Sequence, residues 1–185
     1  MQEFFHALHI TISRASEKFG QAVSWLTLIM TLLMFTLVVL RYLLNFNMIL
    51  LQEAVIYIHA LVFLLGAGYT LKVDGHVRVD VFYREMSKRK QALVNLAGCL
   101  FLLLPMAIFI GVISWEYISF SWSVMEKSQD AGGLPFVYLL KSLILGMVAS
   151  LVIQGISEIS KSLSVLLSDD QTHDSDASSK EENYD

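Results

Sequence analysis

Charged residues are scarce in this chain, and their absence from long stretches argues against a water-soluble domain. Asp, Glu, Lys and Arg make up 16% of the 185 residues, whereas an ordinary soluble domain has about 25%. The 22 residues between Lys18 and Arg41 carry no charge, and neither do the 25 between Lys90 and Glu116. A helix needs roughly 20 mainly apolar residues to cross a bilayer core about 30 Å thick. We therefore expect a protein that lies in the membrane.

Cysteine, histidine and catalytic motifs are also too few for several kinds of site. Cys99 is the single cysteine of the sequence, so it says nothing about the redox compartment. His59 is the one histidine inside a predicted span, and a haem with two axial histidines needs a second at matching depth. We expect His59 to be a buried hydrogen-bonding residue instead. No phosphate-binding loop, nucleophile elbow or metallohydrolase helix is recognisable, so we expect no enzyme, cofactor, metal site or nucleic-acid partner.

Four apolar segments predict an all-α integral membrane fold with four transmembrane helices. The helices are expected at about residues 21–43, 52–71, 91–114 and 134–157, in one membrane domain over residues 20–160. Pro105 should kink the third helix, because proline lacks an N–H and crowds the preceding turn. Pro135 follows a Gly-Gly-Leu loop and is expected near the first position of the fourth helix.

The two ends of the chain differ from this membrane domain. In residues 1–19 apolar side chains recur at a 3-4-3-4 spacing, which predicts an amphipathic helix. That helix either lies in the membrane interface or packs on the bundle. Residues 168–185 contain seven acidic residues and one lysine. Because they have little apolar surface to bury, we predict a disordered acidic tail.

Lysine and arginine are distributed unevenly among the connecting segments. Ten of the 13 lie in the amino-terminal segment, in the loop of residues 72–90 or in the tail. The three that fall on the other face are Arg41, Lys127 and Lys141. Because cytoplasmic loops carry the excess of positive charge, both termini should be cytoplasmic.

Lys141 is the only charge between Ala131 and Ser157. It could extend its ammonium to the headgroups, form an ion pair with an acid at similar depth, or take part directly in moving a substrate. Glu53 and Glu116 are the candidate acids because they flank the outer ends of the second and third helices, and Glu53 is preferred.

Small residues recur every four positions in the fourth predicted helix. Such a row lets two helix backbones approach closely, and a glutamine offers an interhelical hydrogen bond. The helix that meets this row belongs either to this chain or to another subunit. Gly66 and Gly68 indicate a similar approach in the second helix, where packing within the chain is the preferred interpretation. The row consists of Ser142, Gly146, Ser150 and Gln154.

The loop after the second helix contains His76, Arg78 and Asp80 in alternation with valines. This alternation predicts an extended, half-buried segment. A metal site is not expected there, because the ligands lack a recognised spacing and basic residues dilute the negative field.

The polar groups within the predicted helices are too few for a self-sufficient carrier, since coupling-ion and substrate sites require intramembrane acids or broken helices. A supporting subunit is therefore the predicted role. The order of several motifs resembles the small (Q-type) membrane subunit of tripartite ATP-independent periplasmic (TRAP) transporters, over about residues 20–160. The resemblance rests on residues 66–80, on Gln52-Glu53, on Ser87-Lys88-Arg89-Lys90, and on Leu134-Pro135 with Lys141.

The resemblance implies a multi-pass protein of the bacterial inner membrane that scaffolds a large multi-spanning carrier subunit. In that family the large subunit holds the substrate and sodium sites and moves like an elevator, and a soluble periplasmic protein delivers an organic acid. The apolar faces of this chain, with the small-residue row, would enlarge the wall against which the carrier slides in the lipid. A stand-alone homo-oligomeric carrier or channel is the alternative, and an assembly factor is a third possibility.

Overall fold

A computed structural model describes residues 2–75 and 83–181, with side-chain surroundings for residues 10–14, 16–75 and 83–167. Every regular element in this part of the chain is helical. In chain order the elements are α1 (Gln2–Leu43), α2 (Ile49–Ala60), a π-helical turn (Leu61–Leu65), α3 (Gly66–Lys72), α4 (Lys88–Gly98), a second π-helical turn (Cys99–Leu103), α5 (Leu104–Ser123) and α6 (Val137–Glu181).

Four helical stretches are long and apolar enough to cross a membrane, which confirms the predicted all-α membrane fold. Each stretch extends beyond at least one of its predicted ends, because a helix that has nucleated lengthens at little cost. We name them span 1 (Ile10–Leu43), span 2 (Ile49–Lys72), span 3 (Lys88–Ser123) and span 4 (Val137–Leu167).

The amino-terminal segment is continuous with span 1 rather than a separate helix. Helix α1 runs unbroken through residues 19–21, so no turn lies at the predicted boundary. Part of the segment packs on the bundle: the Glu17 carboxylate accepts a hydrogen bond from Lys72 Nζ at 2.9 Å. At Gly20 the missing side chain leaves room for the ring of Tyr69, which an added Cβ would strike. The placement of the first residues in the membrane interface stays a prediction.

The carboxyl-terminal helix also extends further than expected. Helix α6 continues to Glu181, whereas the sequence predicts disorder from residue 168. Adding residues to the end of a formed helix avoids the cost of nucleation, which gives a physical reason for the difference.

The spans form an open layer with span 4 at its centre. Spans 1 and 2 pack against each other and against span 4, while span 3 packs on span 4 from another side. Among the described residues span 3 has no comparable contact with spans 1 and 2. The chain therefore presents broad faces instead of closing into a compact bundle.

A π-helical turn precedes Pro105 in span 3, at the place where the sequence predicts a kink. A proline at position 105 crowds the preceding turn and cannot donate the α-helical hydrogen bond to the carbonyl of Phe101, four residues earlier. The wider turn over Cys99–Leu103 accommodates this, as π turns within α-helices do.

Large apolar side chains cover the outside of the layer. Trp25 is 68% exposed and Phe101 72% exposed, and many other aromatic and aliphatic residues resemble them. A soluble monomer rarely exposes such an area. Lipid or a protein partner must therefore cover these faces.

Candidate functional site

Polar groups in or beside the spans are the places where this chain could do more than pack, since such groups are costly in lipid. Glu53 lies near the start of span 2, and its carboxylate accepts a hydrogen bond from the Ser128 hydroxyl. Its other oxygen accepts a hydrogen bond from the backbone N–H of Leu134 at 2.5 Å. Glu53 therefore holds the loop of residues 124–136, which connects spans 3 and 4.

Two glycines allow this loop to close over Glu53. Gly132 has a φ of +84°, a conformation that glycine adopts without steric cost. A Cβ on Gly133 would lie 2.6 Å from Glu53 Oε1, so a side chain there would displace the carboxylate. Helix α6 begins at Val137, so Pro135 lies two residues before the first helical position, near which the sequence predicts it.

Lys141 forms an ion pair, but with neither of the acids that the sequence suggested. Its ammonium lies 2.5 Å from Glu126 Oε2 and 3.9 Å from the centre of the Tyr117 ring. The preferred pairing with Glu53 is therefore wrong, because the Glu53 oxygens bind Ser128 and the Leu134 N–H. The Lys141 side chain is 14% exposed, so residues of the chain itself largely enclose it, while the extension of its ammonium toward the headgroups stays a prediction.

The ion pair has an electrostatic consequence for the loop. The hydrogen bond from the Lys141 ammonium lowers the pKa of the Glu126 carboxyl. Glu126 therefore remains ionised at neutral pH and keeps the positive charge of span 4 neutralised. The pair connects the start of the loop, three residues after span 3 ends, to the first turns of span 4.

Aromatic residues add a second connection between the same two spans. Trp122 Nε1 donates a hydrogen bond to the Ser142 hydroxyl at 2.8 Å, and its ring meets that of Tyr138 edge-on at 4.7 Å. The Ser142 hydroxyl in turn donates to the Tyr138 carbonyl at 2.8 Å. Ser142 thus contributes to packing within the chain.

The rest of the small-residue row also faces the chain's own helices. A Cβ on Gly146 would lie 2.7 Å from Leu65 Cδ2, and one on Gly68 would lie 2.9 Å from the Ser150 carbonyl oxygen. Gly146 and Ser150 of the row therefore meet span 2 of the same chain. The contribution of the row to a wall for another subunit stays a prediction.

Gly66 and Gly68 behave as the preferred interpretation states. A Cβ on Gly66 would lie 4.0 Å from Val23 of span 1, while Gly68 meets Ser150 of span 4. Both contacts lie within the chain, and the one at Gly68 is much the closer.

Gln154 continues the row into the interior. It is 1% exposed, and neither atom of its amide has a hydrogen-bonding partner among the described residues. The sequence predicts an interhelical hydrogen bond from Gln154, and the described part of the chain supplies no partner for one.

His59 is exposed rather than buried, so the expectation of a buried hydrogen-bonding residue is wrong. Its ring stacks on that of Phe63, with centroids 6.2 Å apart. The three loop residues singled out in the sequence, His76, Arg78 and Asp80, lie outside the described residues.

Several residues that organise this site carry little signal in the sequence. Glu126 adjoins Lys127 and has the appearance of an ordinary acidic residue in a loop. Ser128 and Gly20 do not belong to any periodic pattern in the sequence. A search for an acid near Lys141 in the sequence could have identified Glu126, which lies fifteen positions before it.

The fold and these contacts define the class of protein: a polytopic membrane protein whose few polar groups mainly join its own helices. The chain belongs to the family described as tripartite ATP-independent periplasmic transporters, DctQ component, whose model matches residues 30–164. It is therefore a component of the TRAP transport systems, as the resemblance implied.

One curated relative is similar to part of the chain. It is the C4-dicarboxylate TRAP transporter small permease protein DctQ of Vibrio cholerae serotype O1, 35% identical over 91 residues. The match covers 48% of this chain and 38% of the relative, so the chain matches well under half of that protein's length. No solved structure matches the chain.

Proposed function

We propose that this chain is the small permease subunit of a TRAP-type secondary transporter, and that it holds a large carrier subunit in place while that subunit moves. In this proposal the large subunit is an elevator-type carrier driven by the sodium gradient, and a periplasmic protein delivers its substrate. Membership of a family of tripartite transporter components supports the role.

The observation that carries the static role is the use of polar groups within the chain. Glu53 caps a loop, Lys141 is paired with Glu126, and Ser142 receives Trp122. A carrier site would present ionisable groups to a substrate or ion near the midplane. Here Glu53, Lys141 and Ser142 already form contacts within the chain, which supports a scaffold role instead.

The shape of the chain supports the same role. An open layer offers broad apolar faces, and a moving subunit needs a wall that does not move with it. We propose that this layer widens the immobile part of the complex within the bilayer.

We also propose a multi-pass location in the bacterial inner membrane, with both termini in the cytoplasm. The excess of lysine and arginine in the terminal segments and in residues 72–90 supports this orientation. The transported compound is proposed to be an organic acid. Because the relative from Vibrio is named for C4-dicarboxylates, a C4-dicarboxylate is the first compound to test.

Reconstitution tests the scaffold role. This chain, its large partner subunit, and the two together are placed in separate proteoliposomes with the binding protein and an inward sodium gradient. We expect co-purification of the pair and uptake of the labelled acid only when both subunits are present.

Two results would overturn the proposal. Saturable, gradient-driven uptake with this chain alone would make it a homo-oligomeric carrier or channel. Full uptake with the large subunit alone, once folded, would reduce this chain to an assembly factor.

A further inference from the structure

His59 lies near the middle of span 2, where an exposed polar side chain is unfavourable. It is ten residues past Ile49, which corresponds to about 15 Å along the helix axis, or half of the roughly 30 Å hydrocarbon core. Within the described part of the chain, its one recorded interaction is the stacking on Phe63. An ionisable residue at this depth calls for a partner.

Tyr57 and Leu65 mark the side of span 2 that faces the chain's own helices, and His59 lies on the other side. Tyr57, whose hydroxyl is buried, and Leu65, which meets Gly146, are eight positions apart. In an uninterrupted α-helix their side chains would be about 80° apart, since each residue turns about 100°. One residue inserted by the π turn over Leu61–Leu65 reduces the offset to about 20°. His59, two positions after Tyr57, lies on the opposite side of span 2.

The imidazole borders a groove between spans 1 and 2. The groove has a volume of about 610 Å³, and methionines in its wall can adapt to the shape of an incoming side chain. Thr31, the other polar residue there, donates its hydroxyl to the Thr27 carbonyl at 2.9 Å. His59 is therefore the polar group of the groove that still needs a partner. The wall around it includes Met30, Met34, Phe35, Val38 and Ile56.

We propose that this groove receives a transmembrane helix of the large carrier subunit, and that a polar side chain of that helix hydrogen-bonds to His59. The inference rests on the proposed function, because it identifies the surface on which the carrier docks. A lipid chain would fill the groove but offers the imidazole no hydrogen bond. A second copy would place groove against groove around a two-fold axis, and two concave surfaces do not fill each other.

Photo-crosslinking at matched positions tests the surface. Phe35 of the groove is 67% exposed, and Phe109 of span 3 is 57% exposed, so each can be replaced in turn by a photoreactive phenylalanine. The full chain is co-expressed with its tagged large carrier subunit, and the complex is purified before and after illumination. We expect a covalent product with the carrier from position 35 and none from position 109.

The outcomes separate the surface from the proposed function. A product from position 109 alone, a dimer of this chain from position 35, or no product from position 35 in an intact complex would overturn the docking surface and leave the scaffold role standing. Failure of the unsubstituted pair to co-purify would overturn both.

Two substitutions test the hydrogen bond itself. His59→Phe keeps the stacking on Phe63 but removes the hydrogen bond, and we expect it to weaken association with the carrier about threefold to tenfold, as for other hydrogen bonds between membrane helices. His59→Gln keeps a donor and an acceptor, and should restore most of the affinity. Unchanged affinity of His59→Phe in a titration of the reconstituted pair would overturn the role of His59. The thermal unfolding of each variant alone serves as the control for folding.

Discussion

Glu53 contacts the loop of residues 124–136 from span 2, whereas Glu126 belongs to the loop, and the two acids satisfy different groups. Glu53 accepts hydrogen bonds from the Ser128 hydroxyl and the Leu134 N–H, and so holds the loop at two points. Glu126 neutralises Lys141, whose charge would be costly in lipid. Each acid therefore stabilises one junction of the loop.

A double-mutant cycle should separate these two roles. We expect the losses of stability in Lys141→Ala and Glu126→Ala to be strongly non-additive, because either change already destroys the ion pair. The coupling between Lys141→Ala and Glu53→Ala should be smaller, because these two residues hold the same loop but do not pair with each other. The measurement is thermal unfolding of each variant in detergent micelles, and an additive Lys141–Glu126 cycle would contradict the observed pairing.

Acidification provides a control for the same pair. The pKa of Glu126 is lowered in the folded chain by the hydrogen bond from Lys141. Its stabilisation is therefore fully present above the ordinary glutamate pKa of about 4.3, and is lost as the pH falls through the lowered value. The difference in stability between the unsubstituted chain and Glu126→Gln should shrink in that range and persist at neutral pH.

The residue scale also shows where prediction from sequence failed. That Lys141 would need compensation follows from the cost of a charge in lipid, and this part of the reasoning holds. The choice of Glu53 failed because depth along separate helices does not determine which side chains meet. His59 was expected inside because it is a polar residue within an apolar span, and the sequence does not show which side of span 2 the other helices leave uncovered.

At the scale of elements, the glycines differ in how much space a side chain at each position would have. Gly68 touches the backbone of Ser150, whereas a Cβ on Gly98 would have nothing within 4 Å. Both glycines lie in helices of apolar spans, but the sequence singles out only Gly68, together with Gly66, as a point of close approach. Their different surroundings provide a matched pair of substitutions.

We expect Gly68→Ala to destabilise the chain and Gly98→Ala to leave it unchanged or more stable. The first places a methyl group 2.9 Å from a carbonyl oxygen of span 4, so the two spans must separate. The second meets open space and gains about 0.5–1 kcal/mol from the better helix propensity of alanine. Thermal unfolding in one detergent compares them, and equal effects of the two changes would refute close contact between spans 2 and 4.

At the scale of the whole molecule, span 4 joins two parts that otherwise have little contact. Spans 1 and 2 pack on it as a pair and span 3 packs on it separately, so the layer exposes apolar surface to lipid or to another protein. This arrangement agrees with a subunit that enlarges the apolar surface of a complex within the bilayer. The packing of the spans does not determine which side of the layer faces the cytoplasm; the charges of the loops do.

Reporter fusions test that orientation. We expect a fluorescent protein fused after Asp185 to fluoresce and alkaline phosphatase at the same point to be inactive, because both termini should be cytoplasmic. Fusions after Asp130, with the chain truncated there, should give the reverse. Active phosphatase at the carboxyl end would contradict the predicted orientation.

The sequence by itself determined that this is a membrane protein with four helical spans, because hydrophobic length against bilayer thickness is a property of consecutive residues. It also indicated which helix rows approach closely, since small residues at a spacing of four share one face. The tertiary structure decided which helix fills each row, that Glu126 rather than Glu53 neutralises Lys141, and that His59 faces outward. These features depend on which residues far apart in the chain meet, and that is not encoded in the spacing of any one segment.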